Sequence, residues 1–137
     1  MVVPGMKGPV AGAMIEVGET MPADPQLAWD ILTDLEAWPR WGPSVRRAEL
    51  IDGDELALGV RGRVWTPIGL ALPFAVTEFV PGRCWRWEVA NVAATRHEVQ
   101  SLRRGCRVVF GVPWWAPAYV PVCALALRRI AVMLGGR

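Results

Sequence analysis

Three side chains of this 137-residue chain are candidates, by residue type and phase, to move a proton or steady an oxyanion. His97, the only histidine, shares its phase with Thr95 and Val99 in a run that alternates with Arg96, Glu98 and Gln100. Facing inward, a buried imidazole that titrates near neutrality accepts and returns protons; the plainer reading is a core histidine with both nitrogens satisfied. Glu78 is in phase with Val76 and Phe74. An inward carboxyl in an apolar pocket has a raised pKa and serves as acid or base, whereas an outward one pairs with a neighbouring arginine. Tyr119 falls on the apolar stripe of a helical pattern, where a buried hydroxyl needs a partner and could polarise a carbonyl. No P-loop, G-x-S-x-G, H-E-x-x-H or G-x-G-x-x-G pattern occurs, so nucleotide, triad-hydrolase, zinc-protease and dinucleotide chemistry are set aside.

The element that must carry Tyr119 is residues 117–134. At helical spacing, Tyr119, Cys123, Ala126, Leu127, Ile130, Met133 and Leu134 form one stripe, with Arg128 opposite. Such a helix is roughly 27 Å long at about 1.5 Å per residue. Residues 108–127 carry no charge, about the length that crosses a bilayer. Pro113, Pro117 and Pro121 fall inside that window and the period changes within it, which favours a strand followed by a buried helix, with no integral membrane span. Ala124, Leu125, Ala131 and Val132 make the back of this helix apolar too, as a homodimer contact or a mobile, ligand-gating helix would require.

The remaining elements follow in order. Residues 13–19 alternate weakly, as a first strand. Asp24 and Pro25 are a helix start, predicting a helix over 25–33; Asp34 caps a short second helix over 35–38, which Pro39 ends. Period-two runs then predict strands over 45–51, 59–66, 70–80, 83–90, 93–102 and 106–112, separated by Gly- and Pro-containing turns. The run 70–80 is apolar on both faces, so its inward face stays open. Trp85 and Trp87 alternate inward together, and Trp65 shares the outward phase of Arg61 and Arg63. Strands with the helices at the two ends give an antiparallel sheet covered on one face.

Composition narrows the class. An apolar content of 53% against 20% charged residues excludes a disordered chain, and a net charge of +2 does not imply nucleic acid. Paired arginines read as solvated strand faces rather than a phosphate patch. Cys84, Cys106 and Cys123 are far apart and form no C-x-x-C spacing, so neither a metal site nor a disulfide framework is expected, and the cytoplasm is the expected location. Residues 1–12, broken by Pro and Gly, read as a flexible tail before a single domain over 13–137. Eight tryptophans are unusual, and they suggest aromatic walls as well as core.

The order of elements, with Ala28-Trp29-Asp30-Ile31-Leu32-Thr33-Asp34 leading into Trp38-Pro39-Arg40-Trp41, resembles the START-like (SRPBCC, Bet v 1-like) superfamily. The resemblance is to its polyketide cyclase/dehydrase and lipid transport group. Leu72-Pro73-Phe74, Thr77-Glu78-Phe79, Pro81-Gly82-Arg83 before Trp85, and the terminal Arg128-Arg129 helix extend it over residues 13–134. It implies an α+β helix-grip fold: a seven-stranded curved antiparallel sheet, two short helices and a long C-terminal helix enclosing a hydrophobic cavity. It also implies a small polyketide- or lipid-like ligand and no cofactor. The expected activity is cyclisation or dehydration by positioning plus His97, Tyr119 and Glu78; the alternative is a non-catalytic carrier or sensor. Trp38, Trp41, Phe74, Trp87, Trp115 and Cys123 are the expected ligand-binding residues.

Overall fold

Asp24 starts the first helix as expected: its carboxylate accepts from the Gln26 amide at 2.8 Å, and Pro25 occupies the first turn, where its missing N–H is not needed. The structure is a computed structural model that describes residues 14–135, so the expected tail over 1–12 lies outside the described residues. In chain order the elements are β1 (Met14–Met21), α1 (Pro25–Thr33), α2 (Trp38–Trp41), β2 (Arg47–Leu50), β3 (Arg61–Trp65), β4 (Ala71–Val80), β5 (Cys84–Val89), β6 (Val92–Ser101), β7 (Cys106–Pro113), a 3-10 turn (Pro117–Tyr119) and α3 (Val120–Met133). The strands form one antiparallel sheet in the order β1-β7-β6-β5-β4-β3-β2. α3 runs along β1 and touches α2, while α1 covers β6 and β7. This is the α+β helix-grip architecture.

Both helix expectations around prolines need correction. The second helix does not end at Pro39. A turn takes residues 34–37, with Asp34 Oδ1 accepting from the Glu36 amide at 3.0 Å, and α2 begins at Trp38 with Pro39 in its first turn. Nor is residues 117–134 one continuous α-helix. An α-helical bond at Pro121 would run from its nitrogen to the Pro117 carbonyl, and proline has no hydrogen to donate. The chain closes Pro117–Tyr119 as a 3-10 turn and starts α3 afresh at Val120. Among the described residues no helix is long and apolar enough to cross a membrane. On the back of α3, Leu125 and Val132 are exposed but Arg128 stands between them and reaches Glu19 at 3.8 Å.

Two register shifts bend the sheet, between Val76 and Glu78 on β4 and between Arg86 and Glu88 on β5. Where Gly62 faces Phe74, a Cβ would collide with the Phe74 ring and the Glu49 carbonyl, so only glycine fits between the neighbouring strands there. The core under the bend is aromatic. Trp38 stacks on Trp85 with ring centroids 5.2 Å apart and an interplanar angle of 10°. Its Nε1 donates to the Leu32 carbonyl at 2.9 Å, and Trp41 Nε1 donates to Ile31 at 3.0 Å. Both indoles of α2 therefore bury their rings and also satisfy carbonyls left open at the end of α1.

Candidate functional site

The concave face of the sheet encloses two chambers that share a wall. The inner chamber, about 30 Å³, lies under α2 and the start of α3 between Trp38, Trp41, Trp85, His97, Phe110 and Cys123. That is room for about one water molecule. The outer chamber, about 350 Å³, opens toward the β3–β4 and β5–β6 turns and the segment after β7. Its walls are Val64, Leu72, Val89, Val92 and the small side chains of Ala93, Ala94 and Ala116. Ser44, Val45, Trp87, Thr95 and Tyr119 line both and make the partition. Among the described residues no carboxylate, lysine or arginine lines either chamber.

Two neutral hydrogen-bonded units build the partition. Tyr119, held by the 3-10 turn, bonds its hydroxyl to Ser44 Oγ from the loop between α2 and β2. Burial raises its pKa, against which the Ser44 bond works. The second unit is a chain of fixed direction. Trp87 Nε1 donates to Thr95 Oγ1 at 3.0 Å, and Thr95 Oγ1 lies 3.0 Å from His97 Nε2. His97 Nδ1 lies 3.3 Å from the Trp85 carbonyl, which can only accept, so Nδ1 carries the proton. Nε2 is then an acceptor, and the Thr95 hydroxyl, already receiving from Trp87, donates to it.

His97 is thus inward, in phase with Thr95 and Val99, but its titration is not the expected one. Burial pushes its pKa down to about 3, the bond to the Trp85 carbonyl resists that, and the charge of Arg96 adds to the depression. Instead of a base poised near neutrality, it is a neutral ring stacked on Trp85 at 3.9 Å with both nitrogens engaged. Of the two readings of Glu78, the outward carboxylate paired with an arginine is the one the structure bears out, and the inward acid is not. The shift at Thr77 inserts a residue into β4, so the phase set by Phe74 and Val76 passes to Phe79, which packs on Trp29, and Glu78 turns to the outer face. There it accepts from Arg96 Nε at 3.0 Å. No inward acid exists at that position.

Of the aromatic and thiol positions, Trp38, Trp41 and Cys123 line the inner chamber, Trp115 the outer, and Trp87 both. Burial pushes the Cys123 thiol up to about 11. Phe74 lines neither and packs beneath Trp38 and Trp87, with centroids 5.8 Å and 5.3 Å away. Sequence reading missed Ser44, Thr95 as a bonded member of the wall, and the aliphatic lining. Thr95 had a signal in its shared phase with His97. Ser44 had none, because its partner is 75 residues away.

The architecture recurs among solved structures at low identity. A Mesorhizobium loti protein matches with a TM-score of 0.72 at 12% identity, covering 90% of this chain and 97% of that one. A Chromobacterium violaceum protein matches at 0.63 and 17% identity, covering 90% and 98%. DynU16, from the dynemicin biosynthetic locus, matches at 0.65 and 16% identity, covering 89% of this chain and 47% of its own. These likenesses carry the fold alone. No curated protein matches the sequence. The family model described as polyketide cyclase / dehydrase and lipid transport matches residues 13–131, nearly the whole chain and all seven strands. With a bent sheet, a helix gripped by it and an apolar chamber in its concave face, this chain belongs to the polyketide cyclase/dehydrase and lipid transport family.

Proposed function

We propose that this protein binds a small hydrophobic molecule with a neutral oxygen at one end, seated in the outer chamber with that oxygen at the Ser44–Tyr119 pair. The observation that carries the reading is the wall itself: about 350 Å³ enclosed by aliphatic and aromatic side chains, with neutral hydroxyls at the partition and no charged group among the described residues. Chambers of about this size suit ligands that bury most of their surface, and an uncharged lining disfavours an ionised one, whose desolvation nothing repays. Carriage or sensing is the primary role, because among the described residues no group lining the chambers runs proton chemistry near neutrality. His97 stays neutral to about pH 3 and Glu78 lies outside.

Nile red, a neutral polycyclic fluorophore bearing a carbonyl, tests this. Its emission is expected to rise and shift to the blue on mixing with the protein, and Val89→Asp, which places a carboxylate in the wall, is expected to weaken binding at least about tenfold, as a buried unpaired charge should. Binding left intact by Val89→Asp overturns the site. A catalytic reading retains one foothold, since a Tyr119 hydroxyl beside a bound carbonyl can polarise it while the chamber folds the substrate. DynU16 comes from a biosynthetic locus, which suits that alternative. Cyclisation of a synthetic polyketone lowered by Tyr119→Phe, with Nile red binding retained, would favour catalysis over carriage.

A further inference from the structure

The two ends of the sheet differ sharply in character. Antiparallel pairing puts the β4–β5 and β6–β7 turns at one end, together with the segments after β1 and β2. Those segments carry Asp24, Asp52, Asp54, Glu55, Arg83, Arg103 and Arg104, as water-facing turns commonly do. At the other end are residues 66–71, 89–94 and 113–118, none of them charged, together with the segment before β2, which carries Arg46. The tips of the three uncharged segments are apolar and face solvent: Ile68 is 88% exposed, Trp114 57%, Trp115 52% and Val92 49%. All three contribute to the lining of the outer chamber, so these tips ring its mouth.

We propose that this end of the molecule docks onto a lipid bilayer surface bearing anionic headgroups. Three separate turns offer four apolar anchors, two of them the indoles of residues 113–118, whose amphipathic rings favour the headgroup level. Just behind the Ile68 tip, the Arg46 guanidinium lies beside Gly69, exposed and without an ion pair among the described residues. A cation at that depth meets the phosphate layer once the tips enter the acyl boundary. The one carboxylate that adjoins these turns in sequence, Glu88, lies within β5 rather than on a turn. A protein partner seated on the tips would plug the mouth they surround. A bilayer instead presents hydrocarbon continuous with the aliphatic lining, so an apolar ligand passes between the two without crossing water. As a route for ligand exchange this rests on the binding function proposed above; as a docking surface it does not.

Flotation of the full chain with phosphatidylcholine vesicles and with mixed phosphatidylcholine–phosphatidylglycerol vesicles tests it, with tryptophan emission read on the same samples. The wild type is expected to float with both, more strongly with the mixed vesicles, and its emission to shift to the blue. The double substitution Ile68→Asp with Trp114→Asp is expected to lower partitioning about tenfold or more, since each removes an apolar anchor. It should leave the thermal midpoint and Nile red binding unchanged, because neither residue lines a chamber. Arg46→Glu should abolish the preference for the mixed vesicles alone. Absence of flotation on either vesicle overturns the proposal, as does flotation that the double variant leaves intact. A wild-type dimer by sizing that the double variant makes monomeric assigns the surface to a second copy instead. Loss of Nile red binding with flotation retained would strike only the ligand reading.

Discussion

The inner and outer chambers lie under the same bent sheet, yet side chains nearly fill the one and leave about 350 Å³ open in the other. Under α2 the curve is filled by Trp38, Trp41 and Trp85. Each indole of α2 fixes its orientation by donating to a carbonyl of α1. Toward the β5–β6 turn the same concavity faces Ala93, Ala94 and Ala116, side chains too short to reach across. Curvature alone therefore does not make a binding site in this fold. The site is where bulky residues stop, and the partition between Ser44–Tyr119 and Trp87–Thr95 marks that boundary. The inner chamber serves stability and, under the proposed function, the outer serves binding, a division that substitutions can break.

The largest effect is expected from Trp38→Ala. It removes a fully buried indole, its stack on Trp85 and its bond to Leu32, and should destabilise the protein by about 3–5 kcal/mol in urea unfolding. Trp115→Ala, at the outer chamber, should change stability by no more than about 0.5 kcal/mol while weakening Nile red binding. Comparable losses of stability from both would erase the division of labour.

Thr95→Val probes the partition itself. The isosteric change leaves the Trp87 N–H and the His97 Nε2 without partners and should destabilise by about 2–4 kcal/mol, more than the removal of a methyl-sized contact explains. Close behind comes pH. His97 titrates near 6.5 when unfolded and near 3 when folded, so between those values the unfolded chain holds the extra proton. Its stabilising contribution is complete above about pH 6.5 and declines as pH falls toward 3, by at most about 1.4 kcal/mol per pH unit. His97→Gln should lower stability at pH 7 but flatten the profile from pH 6 to pH 4. An unchanged slope in that variant would mean carboxylates alone set the acid limb.

The sequence carried the scaffold well because periodicity is a local signal. Asp24-Pro25, the strand alternation and the inward phase of His97 each depend on neighbours within a few residues. Glu78 was lost to the extra residue at Thr77, because a bulge inverts the phase without altering the apolar pattern on a strand that is apolar on both sides. The titration of His97 was illegible for another reason. It depends on how completely Trp85, Phe110 and Trp41 exclude water, and those rings come from three different elements. Ser44 is a case of the same kind, with only the tertiary fold bringing it to Tyr119.

The smallest expected effect is at the lip of the outer chamber. The β5–β6 hairpin turns through Ala90 and Asn91, both with positive φ, 53° and 65°. This is the type I′ pairing that matches the twist of the strands, and it suits Asn better than Ala. A Cβ in the left-handed region is disfavoured by about 1–2 kcal/mol, and Ala90 alone of the two lacks a side chain that can bond locally in compensation. Glycine relieves the strain but enlarges the freedom of the unfolded chain, which returns part of the gain. Ala90→Gly should therefore stabilise the protein by only about 0.5–1 kcal/mol in urea unfolding. Because Ala90 is exposed and lines neither chamber, Nile red affinity should not move. A stabilised variant that binds Nile red less well would instead mean that strain in this turn shapes the mouth, so that the form of the outer chamber depends on a disfavoured backbone at Ala90.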